Sequence, residues 1–276
     1  MTRRALDPGM LVLHAVLIAS ILAMVVPFAW MVTTSLKNLT QAYAMPPVWI
    51  PKPVTWANYP IAILEKGIGR GFWNSTVVTA AVVAGQLVIS SLAAYAFARI
   101  EFRSRNALFL MFLATMMIPV HVTMIPIYVM FRSLGLLNTY QALILPALVN
   151  PFAIFLLRQF FLTLPREMEE SLFIDGGSRF QAYWYLTMPL SKAGLAAVAI
   201  FAFINTWNDL LWALVAITEG RMQTLPVKLA LFTGEYITTI HLQMAGATVA
   251  TVPILVVFSL LQKQFVQGVV LSGLKS

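Results

Sequence analysis

The chain has 276 residues, 60% of them hydrophobic and only 10% charged, with a mean hydropathy of +0.83. Soluble domains run nearer half apolar and a quarter charged, so lipid is the expected solvent. The absence of cysteine excludes disulfides and thiolate metal sites, and the net charge of +8 on so apolar a chain fits membrane topology rather than nucleic-acid binding.

In chain order, Arg3 and Arg4 precede an apolar run that reaches Thr33 without a small-x-small cleavage site, so a retained first span is expected. A bilayer core of roughly 30 Å takes about 20 apolar residues in helix. Six stretches qualify: 11–35, 73–98, 107–131, 140–161, 193–217 and 243–265. In lipid the backbone must satisfy its own hydrogen bonds, and runs this long exceed barrel strands, so all six are expected to be helices. The expectation is one all-α transmembrane domain over residues 1–276. Pro27, Pro119, Pro126, Pro146, Pro151 and Pro253 fall inside these stretches and predict bends.

Lys and Arg in the short connections set the orientation. With the N-terminus inside, the inner segments hold eleven: Arg3, Arg4, Arg99, Arg103, Arg105, Arg158, Arg166, Arg179, Lys192, Lys263 and Lys275. The outer segments hold seven: Lys37, Lys52, Lys66, Arg70, Arg132, Arg221 and Lys228. Both termini are therefore expected in the cytoplasm of a multi-pass inner-membrane protein. The first outer loop, 36–72, contains Pro46, Pro47, Pro51, Pro53 and Pro60 with Trp49, Trp56 and Tyr59. It reads as a stiff, extended segment that lies at the headgroups or meets an external protein.

Between the fourth and fifth spans, residues 163–190 form a polar interruption on the inner side. Pro165 suits a first helical turn, where Glu167, Glu169 and Glu170 complement the helix dipole. Gly176 or Gly177 suits the left-handed end of that helix. Ser178 with Gln181 forms a capping-box pattern that starts a second helix. On it, Phe180, Tyr183, Trp184 and Met188 are spaced to share one face before Pro189. Four carboxylates (Glu167, Glu169, Glu170, Asp175) against Arg166 and Arg179 suit anionic lipid poorly, and a protein groove better.

The stretch from Glu170 to Pro189, ESLFIDGGSRFQAYWYLTMP, resembles the coupling motif of ABC importer permeases, E-A-A-x-x-D-G-A followed by a spaced hydrophobic residue and Pro. Glu170, Asp175, Gly176 and Pro189 fall on the motif's positions. Ser171, Leu172 and Gly177 replace its small residues, and Ala193 stands where a second Pro is usual. Leu134–Thr139, Asn205–Trp212, Thr224–Val227 and Gln264–Gly268 are similar to the carbohydrate-type permeases. The chain looks most like the second, six-span permease of maltose-type importers.

The resemblance implies a MetI-like permease fold: six transmembrane helices with a cytoplasmic two-helix coupling hairpin. It implies a heterodimer with a second permease, two copies of a cytoplasmic ATPase, an external solute-binding protein, and transport of a carbohydrate or related polar solute. Glu170, Asp175, Gly176, Gly177, Phe180 and Pro189 would then couple to the ATPase. ATP and Mg would sit on that partner: this chain has no G-x-x-x-x-G-K-[ST], so it is expected to bind no cofactor or metal and to be no enzyme.

Asn205, Asn208, Asp209 and Trp212 are spaced i, i+3, i+4, i+7 in the fifth predicted span. Polar groups there are costly against lipid, so this face lines the solute pathway or bonds between helices. Met116, Met117, His121 and Met124 read as packing, and Glu235 with Tyr236 as an outer gate. An ion-coupled secondary transporter is the competing function. It needs buried ionisable residues along the path, of which Asp209 is the single carboxylate well inside a span.

Overall fold

The computed structural model describes residues 8–233 and 239–273, and among them every regular element is helical. The elements used below are α1 (Pro8–Ser35), α2 (Ile68–Arg99), α3 (Arg105–Met117), α4 (Val120–Ser133), α5 (Tyr140–Ala147) and α6 (Pro151–Leu162). They continue with α7 (Glu167–Ile174), α8 (Arg179–Leu190), α9 (Lys192–Trp207), α10 (Leu211–Ala216), α11 (Leu225–Ala230) and α12 (Ile240–Gly273).

Helices α1, α2 and α12 are each long and apolar enough to cross a membrane alone. Two further predicted spans are bent pairs, α3 and α4 at 95° and α5 and α6 at 42°, while a third bend, 78° between α8 and α9, separates the hairpin's second arm from the start of the fifth predicted span. Proline supplies the reason at the first two breaks. Ile118, the residue before Pro119, is pushed out of the helical region to φ −83°, ψ 116°. Pro146 and Pro151 lie on either side of the α5–α6 break, where Asn150 Oδ1 accepts from the Phe152 and Ala153 amides and starts α6.

The fifth predicted span, 193–217, is corrected by the structure. Helix α9 stops at Trp207, Asn208 to Leu210 leave the helix, and α10 starts again at Leu211. Short polar side chains explain the stop, because they offer the backbone alternative partners. Asn208 Nδ2 donates to the Ile204 carbonyl at 2.8 Å, and Asp209 Oδ1 accepts from the Trp212 amide at 3.3 Å.

The described residues group into two compact units, the chain up to Gly69 with Leu229–Val252, and Arg70–Lys228 with the chain from Pro253. In the first, α1 exposes apolar side chains along its length, as a lipid-facing helix must. The outer loop is not a free extended strap, because it folds back on the end of α1. Asn58 Nδ2 donates to the carbonyls of Ser35 and Lys37 at 2.8 and 2.7 Å, and the Ser35 hydroxyl lies 2.8 Å from Tyr59 Oη. Lys37 is fully buried, with its ammonium 3.5 Å from the Trp30 ring centroid and 3.1 Å from Thr34 Oγ1. Burial pushes its pKa down.

In the second unit α2 runs past two apolar cores. Val78 and Val82 pack with Phe131, Leu143, Ala216 and Ile217, while Ala94, Tyr95 and Ala98 pack with Ile154, Leu157 and Phe161. The twelve residues from Val82 to Ala94 put about 18 Å between the two contact zones.

Candidate functional site

The hairpin α7–α8 forms as its local signals require. Glu167, Glu169 and Glu170 occupy the first turn of α7. The Gly177 amide donates to the Leu172 carbonyl at 2.8 Å and the Gly176 amide to Phe173 at 3.1 Å, closing the helix in a Schellman pattern with Gly176 at φ +84°. Ser178 and Gln181 exchange both bonds of a capping box, at 3.2 and 2.7 Å.

Within α8, Ala182–Thr187 widen into a π-type turn just ahead of Pro189, which has no amide to continue the α ladder. The wider turn rotates side chains away from α-helical spacing. Of the single face expected for Phe180, Tyr183, Trp184 and Met188, the Tyr183 ring does meet those of Phe180 and Trp184, at 6.1 and 6.3 Å, but the four differ in burial. Tyr183 is buried and Met188 packs inward, whereas Phe180 and Trp184 are exposed, their rings nearly parallel at 6.5 Å. Phe173, Ile174 and Tyr185 on the same hairpin are exposed as well, as are Glu170 and Asp175. Ile174 is 85% exposed, an arrangement that water alone does not favour.

Glu169, next to Glu170, points the other way and is buried. Its Oε1 lies 3.5 Å from Arg99 Nε, with the two side chains 11% and 3% exposed, and accepts from Thr187 Oγ1 at 3.4 Å. Arg99 Nη2 donates to the carbonyls of Phe161 and Leu164 at 2.6 and 2.7 Å. Sequence reasoning grouped Glu169 with the solvated carboxylates and used Arg99 only for topology. The usable signal is the polar series Ser91, Tyr95, Arg99 at intervals of four along an apolar helix.

Beside the first of the second unit's two cores lies a cavity of about 590 Å³, lined at the α3–α4 and α5–α6 breaks and where α9 gives way to α10. Asn205, Asp209 and Trp212 line it and Asn208 does not; Asn208 is exposed and tied to its own helix. The four residues do not share a helix face, because the helix ends among them. Trp212 also has a structural partner, since its Nε1 donates to the Ala142 carbonyl at 2.8 Å. Met116, His121 and Met124, expected as packing, line the cavity, whereas Met117 does not and is exposed. Gln86 and Asn150 complete its amide lining, and Gln86 Nε2 donates to the Ala147 carbonyl at the α5–α6 break at 2.6 Å. Glu235 and Tyr236 lie outside the described residues. Among the described residues no cluster of three His, Cys, Asp or Glu could hold a metal ion.

The family described as binding-protein-dependent transport system inner membrane component matches residues 86–271. The chain is 35% identical over 229 residues to the arabinooligosaccharides transport system permease protein AraQ of Halalkalibacterium halodurans, covering 83% of this chain and 82% of that protein. It is 33% identical over 251 residues to the sulfoquinovosyl glycerol transport system permease protein SmoH of Agrobacterium fabrum, covering 90% and 88%. Against the sn-glycerol-3-phosphate transport system permease protein UgpE of Yersinia enterocolitica, identity is 33% over 278 residues, with 97% of each chain covered. A solved bacterial ABC transporter that imports the acidic polysaccharide alginate shares the fold, with a TM-score of 0.81 at 24% identity over 96% of this chain and 99% of that one.

Proposed function

Since the chain belongs to the family of binding-protein-dependent transport system inner membrane components, we propose that it is one permease of an ABC importer for a neutral carbohydrate or polyol. It forms half of a pore with a second, different permease. Two cytoplasmic ATPase subunits bind ATP and Mg, and an external binding protein delivers the solute. Both termini and the α7–α8 hairpin face the cytoplasm, in keeping with the Arg and Lys of the short inner loops.

The observation that carries the reading is the two-sidedness of the hairpin. Its outward side joins exposed carboxylates, Glu170 and Asp175, to the Phe180–Trp184 stack, while Glu169 and Tyr183 secure it inward. Amphipathic helices in a protein groove use this mixture, whereas helices lying on anionic lipid carry Lys and Arg on the polar side. An ion-coupled carrier leaves the outward surface without a partner. Single cysteines at Ile174 and Phe180 are unique in this cysteine-free chain, and they should cross-link to the ATPase subunit in membranes. Cross-links only to lipid, or uptake that survives mutation of the ATPase's Walker lysine, would sink the proposal.

The cavity supports the solute class. Its lining combines amides of Gln86, Asn150 and Asn205, the Asp209 carboxylate and the Trp212 ring, with no Lys or Arg among the described lining residues. Amides and a carboxylate bond hydroxyls, and aromatic faces stack on sugar rings. An anionic group about 6 Å from Asp209 would cost about 3 kcal/mol at an effective dielectric near 20. Neutral sugars should therefore drive transport where phosphorylated or acidic ones do not. Uptake by the whole transporter, measured with labelled neutral and acidic sugars, tests this.

A further inference from the structure

The ATP-driven reading leaves open how the hairpin holds the spans it is to move. Three residues of α2, Ser91, Tyr95 and Arg99, succeed one another at intervals of four and so lie along one side of the helix. The hairpin meets this side at three levels. Ser91 Oγ is 2.8 Å from Tyr183 Oη, the Tyr95 and Tyr183 rings meet edge to face at 5.4 Å, and Arg99 faces Glu169 at 3.5 Å. Tyr183 and Thr187 come from α8 and Glu169 from α7, so both arms of the hairpin are engaged. Through Arg99 Nη2 the same cluster captures the carbonyls of Phe161 and Leu164 at the end of α6.

We infer that Arg99 and Glu169 are the positioning pair that ties the coupling hairpin to α2 and α6, so that displacement of the hairpin is passed to two of the helices that border the cavity. This rests on the reading of the hairpin as an ATPase docking element. The contacts are buried and shared among four helices. Buried polar groups of this kind fix one arrangement, because breaking one partner leaves a charge without compensation. Exposed contacts at the hairpin do not have this property. Arg166 and Glu101, for example, lie 3.9 Å apart in solvent, where such pairs contribute little.

The cluster also separates charge from hydrogen bonding. Arg99 Nε has no hydrogen-bond partner although the Glu169 carboxylate is close, so the two interact through charge. Glu169→Gln therefore removes the charge while keeping length and an acceptor for Thr187. In the complete transporter with its binding protein, Glu169→Gln should lower solute imported per ATP hydrolysed at least tenfold, with the ATPase subunits still bound and still hydrolysing. Tyr183→Phe, which removes only the bond to Ser91, should lower the same ratio two- to threefold. The double variant Arg99→Gln with Glu169→Gln should be no worse than Arg99→Gln alone.

An unchanged ratio in Glu169→Gln overturns the inference. So does a loss of uptake and hydrolysis together, at an unaltered ratio, in a variant that still assembles, which marks a purely structural pair. If Glu169→Gln fails to assemble, Tyr183→Phe decides, and an unaltered ratio there counts against the inference. Uptake that persists with a Walker-lysine ATPase variant overturns the functional reading instead, so the two failures are distinguishable.

Discussion

Gly177 is one of the positions where this chain departs from the coupling motif, which has Ala there, and the structure ties that departure to another. A Cβ at Gly177 would stand 2.5 and 2.8 Å from Leu172 Cγ and Cδ1, and 2.8 Å from the Leu172 carbonyl oxygen. Leu172 itself replaces a small residue, so the extra side chain at one position occupies the room the other has given up. Overpacking of this kind costs about 1–3 kcal/mol. Gly177→Ala should therefore open α7 more readily, raising amide exchange over residues 167–177 roughly 5- to 150-fold. Adding Leu172→Ala removes both side-chain collisions and leaves the carbonyl contact, so the double variant should recover part of the loss. Hydrogen exchange read by mass spectrometry on the assembled transporter supplies all four corners of the cycle. Additive effects, with no recovery of about 1 kcal/mol or more in the double variant, would refute the claim that the two positions compensate.

At Gly176 the obstacle is conformation rather than space, because nothing lies within 4 Å of a Cβ there but φ is +84°. Gly176→Leu should cost about 1–2 kcal/mol locally and uncouple hydrolysis from uptake, whereas wild-type transport with normal assembly would contradict this. Asn205→Leu should cut uptake at least tenfold and Asn208→Leu less than twofold, since only the first lines the cavity; equal effects in a transport assay would remove the cavity from the pathway. Gln86→Leu strands the Ala147 carbonyl and should lower stability by about 1–3 kcal/mol in thermal unfolding of the purified complex. Lys37→Met keeps the stem length and removes a buried cation that has no carboxylate within ion-pair distance among the described residues. It should leave the unfolding temperature unchanged or raise it, and a drop of several degrees would show that the Trp30 contact outweighs desolvation.

Short-range patterns carried much of this molecule. Apolar run length located the three long helices α1, α2 and α12, and Ser178 with Gln181 and the Gly176–Gly177 pair marked the ends of the hairpin helices, because those features depend on residues close together along the chain. The same periodicity misled at Asn208 and Asp209, where side chains bond their own backbone and stop the helix that the spacing continued. It also grouped Phe180, Tyr183, Trp184 and Met188 without separating Tyr183 and Met188, which pack inward, from Phe180 and Trp184, which stay exposed.

Other features have no local signature at all. Glu169 and Glu170 are chemically identical neighbours, yet one is buried against Arg99, seventy residues earlier, and the other faces solvent. The 590 Å³ cavity likewise depends on breaks in several helices, far apart along the chain, coming together beside one packed core. Hydrophobic length and capping chemistry are written along the chain and can be read there. Which side of a helix a carboxylate faces, and where space remains between bent spans, follows from contacts between distant segments that form only when the whole bundle packs.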